Sequence, residues 1–486
     1  MTTEYLNHIG GGFRPARSAR WIDSTDPATG EVWARVPASG AEDVDDAVAA
    51  AAAAFPAWRA TPPLRRAALL RAWSEAVLAR SAELAEIESR DNGRVLRETR
   101  DADVPGGALH IQYNASLADK ITGDTVHLGG TSLASTHYEP FGVVGVVIPW
   151  NAPLAMFFAK VSGALAAGNA VVVKPAEQAC CSILAACELF ERAGFPPGLV
   201  NVVSGTGPEA GEALVDHPGV AKLHFTGSTA TGRRVTERSA ANLKNLSLEL
   251  GGKSPDIVFD DADLDAAAAG AAAGIYTGGA GQACVAGSRI LIQDTIFEEF
   301  TERLRKRAAA IRLGDPRDPE TDMGPITFAG QYRKVLSYLE SAPADGAEPI
   351  FGGRTGADAV ADPALAGGYW VEPTLFAAAG NGPAICREEV FGPVAVAIPF
   401  GSEEEAYALA NETDYGLAGG AWTRDLNRAH RAIAAIEAGT VWINTFRRLH
   451  WAVPFGGHKQ SGNLPANGVD GLREWLNLKA AWIELG

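Results

Sequence analysis

Four apolar runs of strand length, separated by segments of helical period, set the strongest limit on the fold. The first is Val143-Val144-Gly145-Val146-Val147-Ile148. A run without polar alternation marks a strand covered on both faces. Helical spacing follows at residues 155–167, then Ala170-Val171-Val172-Val173, a helical segment at 179–193, Leu199-Val200-Asn201-Val202-Val203, a second at 208–216, and Lys222-Leu223-His224-Phe225. Strands joined by helical crossovers run parallel, and such crossovers are right-handed. The expected product is a doubly wound α/β sheet.

A second strand–helix series begins after Glu249. Ile257-Val258-Phe259 reads as a strand, 263–275 as an alanine-rich helix, Ser288-Arg289-Ile290-Leu291-Ile292 as a strand and 295–311 as a helix. The pattern runs to about residue 445, and 486 residues accommodate two or three domains. Ahead of the first series, Arg20-Trp21-Ile22-Asp23 and Glu31-Val32-Trp33-Ala34-Arg35-Val36 flank a Pro-Ala-Thr-Gly turn at 27–30. Helices are expected at 41–57 and 64–90. Two short strands at 125–128 and 135–140 surround Gly129-Gly130 and have little core of their own. The apolar end Ala480-Ala481-Trp482-Ile483-Glu484-Leu485 is a strand that could close them.

Charge narrows the partners. A formal net charge of −16 and a pI near 5.1 argue against nucleic acid or an anionic membrane. The five cysteines form no C-x-x-C pair and no zinc-spaced cluster with histidine, so no metal is expected. A sparse, odd count suits a reducing compartment. Met1-Thr2-Thr3-Glu4-Tyr5 lacks the charge and apolar pattern of a signal peptide, and no unbroken apolar run suits a membrane span. A cytoplasmic protein is the expectation.

The chemistry concentrates in Thr277-Gly278-Gly279-Ala280-Gly281-Gln282-Ala283-Cys284-Val285-Ala286-Gly287-Ser288-Arg289. One cysteine stands among small residues, which let other groups approach the backbone. A thiolate is the strongest ready nucleophile near neutral pH. The Gly-x-Gly-x-x-Gly phosphate pattern fails at Gly205-Thr206-Gly207-Pro208-Glu209-Ala210-Gly211, where the third glycine comes one residue late. Gly252-Lys253-Ser254 ends like a phosphate-binding loop, but Ser247 stands where its first glycine belongs. Lys174 closes a buried strand at the edge where open sheets bind ligands, with Glu177 three residues on. Phe225-Thr226-Gly227-Ser228 turns a strand into a helix N-terminus, a place for a phosphate.

Taken with Pro149-Trp150-Asn151, Leu248-Glu249-Leu250-Gly251-Gly252-Lys253-Ser254-Pro255 and Glu388-Glu389-Val390-Phe391-Gly392-Pro393, these segments form an ordered set. In order and spacing the set resembles the aldehyde dehydrogenase superfamily, over nearly the whole chain. The resemblance implies two doubly wound α/β domains, one Rossmann-like, and a small β oligomerisation arm. Residues 1–121 and 141–250 would form the dinucleotide-binding domain and 251–445 the catalytic domain. Residues 446–469 would return to line the substrate tunnel. Residues 122–140 and 470–486 would form the arm of a homodimer or homotetramer.

The resemblance also implies roles. Cys284 would attack an aldehyde carbon, and the Asn151 amide with the Cys284 backbone N–H would stabilise the oxyanion. Hydride would pass to a nicotinamide, leaving a thioester that Glu249 hydrolyses as general base. Between two leucines, Glu249 would be partly desolvated, which raises a carboxyl pKa. Ile148, Pro149, Trp150, Asn151, Lys174, Glu177, Gly207, Phe225, Gly227, Ser228, Leu250, Glu389 and Phe391 would hold the cofactor, with Lys174 counted among the catalytic set. A carboxylate at Glu177 would repel a 2′-phosphate, which favours NAD, with NADP possible. Ala152, Ala155, Met156, Ala159, Gly278, Ala283, Val285, Leu449, Trp451 and Phe455 would line the substrate channel, with Phe446 in its apolar wall. The small residues after Asn151 and at Gly278 suggest a wide channel and a bulky aromatic, terpenoid or long-chain aldehyde. Arg447, Arg448 and His450 share that loop, with solvent the default for adjacent charges. Relatives that acylate coenzyme A typically lack the glutamate; such an enzyme, or a non-catalytic binding protein, is the alternative. One departure stands out: Ala466 occupies the place of a glutamate that many members carry near the C-terminus.

Overall fold

The computed structural model describes residues 2–485. Its first seven-stranded sheet runs in the order Asn245–Glu249, Lys222–Thr226, Val143–Ile148, Ala170–Pro175, Val200–Val202, Asn7–Ile9, Gly12–Arg14. The first five are parallel. Their register pairs Val147 with both Lys174 and Phe225, and Thr226 with Glu249. The carboxyl ends of four strands therefore meet along one edge.

The last two strands of that sheet are an antiparallel hairpin from the N-terminus. Sequence patterning marks strands only at 20–23 and 31–36 in this region and none at 7–14. Asn7 explains the join. Its amide is fully buried, donating to Ser39 Oγ at 2.7 Å and accepting from the Ser204 backbone N–H at 2.9 Å. A buried amide satisfied this way carries little desolvation cost.

The second seven-stranded sheet runs Glu348–Phe351, Thr374–Ala377, Val394–Phe400, Arg289–Gln293, Pro255–Val258, Ala418–Trp422, Thr440–Ile443. Only its Glu348–Phe351 edge is antiparallel. A separate antiparallel sheet joins Thr125–His127, Ser132–Pro140 and Leu476–Glu484, with Trp482 opposite Ala134. A small sheet of Thr3–Glu4, Glu31–Pro37 and Trp21–Asp26 completes the N-terminal region.

Helices cover both faces of the first sheet. Pro153–Ala167 is buried nearly throughout, packing on Trp73 through Phe157 and Phe158 with ring centroids 6.2 and 5.7 Å apart. The segment expected as one helix at 64–90 is two, Pro63–Ala79 and Ser81–Asn92. The break is at Arg80, whose guanidinium pairs with Glu83 and Glu188. The segment expected as a helix to 275 ends at Ala272 and opens into a wider turn, Ala273–Thr277. Such turns break helical regularity and often adjoin functional loops. This one feeds directly into the loop that carries Cys284.

Candidate active site

The edge of the first sheet supplies one wall of a pocket. The chain leaves the Val143–Ile148 strand through Pro149, Trp150 and Asn151 before entering helix Pro153–Ala167. Trp150 stands edge-on to Phe328 and Phe391, each 5.2 Å away between ring centroids. From the neighbouring strands come Thr226, Gly227 and Ser228, then Glu249 and Leu250, all lining the same pocket. Cys284, Glu389 and Phe391 line it from the second half of the chain. A larger surface groove, which shares no residue with this one, holds Arg312 and Arg354, already paired with Asp318 and Glu372.

Two close approaches seat the cysteine loop. A β-carbon on Gly252 would lie 2.3 Å from the Cys284 carbonyl oxygen. One on Gly281, whose φ is +69°, would lie 2.0 Å from the Gly392 carbonyl oxygen. Only glycine allows both contacts. The loop is thereby held against the segment after Glu249 and the segment after Glu389.

Cys284 is half-buried, whereas Cys180, Cys181, Cys187 and Cys386 are buried. Burial, followed by the charges of Glu389 and Glu249, pushes its thiol up to about 12, with Arg447 pulling the other way. The free protein therefore holds a thiol rather than a thiolate at neutral pH.

Asn151 is 9% exposed, and its side-chain N–H donates to the Gln282 carbonyl at 2.9 Å. That leaves the second amide hydrogen for a ligand. Gln282 is itself fixed: its side chain donates to Gly279 at 3.1 Å and accepts from the Thr327 N–H at 2.9 Å. Glu249 is 7% exposed and bonded to Lys160 Nζ at 2.6 Å. Thr226 Oγ1 lies 3.4 Å from its other oxygen.

Lys174 is buried and donates to Glu177 at 2.8 Å. Burial raises Glu177, but Lys174 outweighs it and holds the carboxyl below its usual value. Gly207 begins the turn Gly207–Gly211, and a β-carbon there would meet open space. Ser228 caps helix Thr229–Ser239, its hydroxyl accepting from Thr231 N–H at 3.2 Å. Ile148 is 1% exposed, and its carbonyl accepts from Ala176 N–H at 2.8 Å. Glu389 accepts from Gly252 N–H at 2.9 Å; burial pushes its carboxyl up, against that bond and the nearby Lys334. Phe391 holds a φ of +58°, a strained conformation for a bulky residue. Gln331 secures it, donating to the Val390 and Phe391 carbonyls at 2.9 Å each.

The residues expected along a substrate channel separate. Met156 lines the pocket with Cys284. Ala152 and Ala155 are half-buried on the same helix start. Ala159 lines a different, small cleft with His110, Lys160 and Glu474. Val285 is 3% exposed and packs in a cluster with Leu417 and Trp442, so it is a core residue. Phe455 is half-buried against that cluster, Ala283 is half-buried in the cysteine loop, Trp451 stacks near His450 at 4.2 Å, and Leu449 is 54% exposed. Phe446 packs on Trp442 with ring centroids 5.0 Å apart and planes tilted by 52°, and closes over Gly274 and Gly287.

Arg447 departs from the solvent-facing expectation. A φ of +58° turns it inward, where it donates to Gly278 at 2.8 Å and Ala273 at 3.3 Å. It covers Gly278, whose missing side chain leaves room for the guanidinium. Arg448 remains exposed. Lys160, Gln282, Gln331 and Lys334 were not singled out by sequence reasoning. A lysine inside Phe157-Phe158-Ala159-Lys160-Val161 was the available signal, since a charge in an apolar stretch requires a buried partner.

The pattern of sheet, loop and pocket has many relatives. The aldehyde dehydrogenase family model matches residues 13–481. DhaS of Bacillus subtilis (strain 168) is 39% identical over 480 residues, covering 98% of this chain and 95% of that protein. PnpE from Pseudomonas sp. WBC-3, solved in complex with nicotinamide adenine dinucleotide, is 44% identical with a TM-score of 0.96, covering 100% of this chain and 98% of its own. The NAD+ complex of aldehyde dehydrogenase from Bacillus cereus is 40% identical with a TM-score of 0.96, covering 99% and 97%. The chain belongs to the aldehyde dehydrogenase family.

Proposed function

We propose that the protein oxidises an aldehyde to its carboxylic acid with NAD as acceptor, through a covalent thioester on Cys284. The observation that carries this reading is one pocket bordered by the Cys284 thiol, the Asn151 amide and the Glu249 carboxylate, with Trp150, Ser228, Glu389 and Phe391 beside them. These residues suit a dinucleotide. Gly207 leaves open space beside the Lys174–Glu177 pair, and helix Thr229–Ser239 directs its N-terminus at the pocket edge. NAD, when bound, supplies the hydride acceptor.

The Cys284 thiol gives up its proton to water in the pocket, and the thiolate attacks the aldehyde carbon, its sulfur–carbon bond forming as the carbonyl oxygen takes up charge. Asn151, with one amide hydrogen committed to Gln282, directs the other at that oxygen. A donor of this kind contributes about 3–4 kcal/mol to the barrier it lowers. After oxidation of the bound carbon to a thioester, Glu249 takes a proton from water as that water attacks. The carbon–sulfur bond breaks, releasing the acid. The nearness of Glu249 to Cys284 favours hydrolysis over transfer to coenzyme A.

The small, half-buried side chains of Ala152 and Ala155, near pocket-lining Met156, support a bulky apolar substrate. The sheet of 125–127, 132–140 and 476–484 supports self-association: Leu478, Trp482 and Ile483 are 63%, 68% and 52% exposed on one strand. Five free cysteines suit a reducing compartment such as the cytoplasm.

An aldehyde panel with NAD and NADP, followed by reduced-nicotinamide absorbance, tests the reading. Cys284→Ala should abolish oxidation, and Glu249→Gln should leave a burst of acyl-enzyme with slow turnover. Normal kcat in Glu249→Gln would remove the base assignment, and a requirement for coenzyme A would favour the acylating alternative.

A further inference from the structure

Glu249 is buried, so the proton it takes from water has to leave before the next turnover. Three buried side chains next to it have no part in the chemistry described so far. Thr226 Oγ1 lies 3.4 Å from Glu249 Oε2 and 3.3 Å from His224 Nε2. His224 Nδ1 lies 3.4 Å from Glu474 Oε2. His224 is 1% exposed, and its ring stacks on Trp475 at 5.6 Å with 29° between planes. The four groups form one line away from the pocket. Hydrogen bonds of this length are common in unliganded sites and tighten when ligand binds.

We propose that His224, oriented by Glu474, accepts the proton of Glu249 through the Thr226 hydroxyl. This rests on the reading of Glu249 as general base. His224 and Glu474 are positioning residues, since neither borders the pocket that holds Cys284.

The step balances. For the transfer, His224 donates Nδ1–H to Glu474 and accepts Thr226 Oγ1–H at Nε2. Protonated Glu249 donates to Thr226 Oγ1. One concerted shift passes the Glu249 proton to Thr226 and the Thr226 proton to Nε2. Glu249 is then a carboxylate again, and His224 an imidazolium beside the Glu474 carboxylate. The imidazolium then loses its proton to water on the side of the small cleft that Glu474 borders with half-buried Asn467, and Glu474 stays a carboxylate throughout.

The surrounding charges suit this direction. Once His224 is an imidazolium, its charge and hydrogen bond, then Lys160 and Lys222, outweigh burial and hold the Glu474 carboxyl down at about 2. It is then ionised and stabilises that imidazolium. Lys160 faces the line from helix Pro153–Ala167, Lys222 from the strand of His224, and Glu249 from the adjacent strand. His110 faces Lys160 from helix Val104–Leu117, and burial followed by the Lys160 charge pulls it down to about 3, so it stays neutral. Lys160 Nζ is committed to the other carboxylate oxygen of Glu249, at 2.6 Å. Ala466 borders the same cleft and offers no carboxylate, so Glu474 is the acid that serves it.

The test compares wild type, His224→Gln, Glu474→Gln and Glu249→Gln in rapid mixing with NAD and an aldehyde that the wild type oxidises, across pH 6–9. The reduced-nicotinamide burst reports steps up to the thioester, and the later rate reports its hydrolysis. The expected result is a burst within twofold of wild type in His224→Gln and Glu474→Gln, with hydrolysis slowed about tenfold or more and its pH dependence altered. A kept burst excludes general misfolding. If Glu249→Gln stalls while both other variants hydrolyse at the wild-type rate with the wild-type pH profile, the relay is overturned and the base assignment stands. If Glu249→Gln turns over normally, the underlying reading falls first. If both relay variants lose the burst as well, a second arm decides: a His224→Asn change that restores the burst but not hydrolysis supports the relay, and one that restores both overturns it.

Discussion

The state of Cys284 gives a quantity that can be checked without any substrate. Its thiol is pushed up to about 12 by burial, then by Glu389 and Glu249, with Arg447 opposing. At pH 8 the thiolate fraction is then about 10⁻⁴, against about a quarter for an ordinary cysteine. A more basic thiolate attacks faster, with a Brønsted slope of about 0.4–0.5, and this returns about 25- to 55-fold of the loss. The net expectation is alkylation about 40- to 100-fold slower than that of a free cysteine. Iodoacetamide labelling of the protein without cofactor, read by mass spectrometry of the Cys284 peptide, measures it. The other four cysteines are buried and do not compete.

The rate should climb about tenfold for each pH unit from 7 to 10, with no levelling near 8.5. Removing a like charge should help: Glu389→Gln lowers the thiol's titration point and quickens labelling, by about threefold for each tenfold gain in thiolate. Arg447→Met should act in the opposite direction. A plateau between pH 8 and 9 in the wild type, or labelling indifferent to both substitutions, would refute the electrostatic argument. It would mean that water reaches the sulfur more freely than its packing allows.

Three further outcomes follow from the same geometry. Asn151→Ala should lower kcat about 10²- to 10³-fold in steady-state assays, and Gln282→Leu, which frees the Asn151 amide to turn, should lower it less. Wild type should show the higher kcat/KM with NAD, and Glu177→Gln should raise kcat/KM for NADP, because it removes the charge that a 2′-phosphate would meet; an unchanged ratio would mean the phosphate sits elsewhere. Trp482→Glu on the exposed arm strand should shift the protein toward smaller species in sedimentation velocity while leaving circular dichroism unchanged.

What could be read from the amino-acid order follows from where the folding forces leave a local mark. The strand at 143–148 is buried on both faces, and that condition writes itself into an unbroken apolar run. The hairpin Asn7–Arg14 leaves no such mark, because its first residue is a buried asparagine satisfied by Ser39 and Ser204 from far along the chain. The same division holds in the site. Cys284 stands out because its neighbours are small, and Glu249 because two glycines follow it. Lys160 was hidden by its place among phenylalanines, where its partner is 89 positions away. Arg447 and Arg448 look alike as adjacent charges, yet one positive φ turns the first inward and leaves the second in water.

The glycines connect these two kinds of legibility. Gly252 follows Glu249, and Gly281 precedes Cys284. Each is needed because another backbone passes where its side chain would be. Gly252 meets the Cys284 carbonyl, and Gly281 meets the carbonyl of Gly392, one residue after the strained Phe391. The loop bearing the thiol is thus wedged between the loop bearing the buried acid and the loop bearing Glu389. Three segments distant in sequence are held in register by van der Waals contact, before any hydrogen bond is counted. Rotamer freedom at Cys284 or Glu249 then costs little, because the backbone has already fixed where the two side chains begin. The small residues that first draw the eye to Cys284 are in this sense structural. They are the clearance that brings the thiol, the amide and the carboxylate to one pocket.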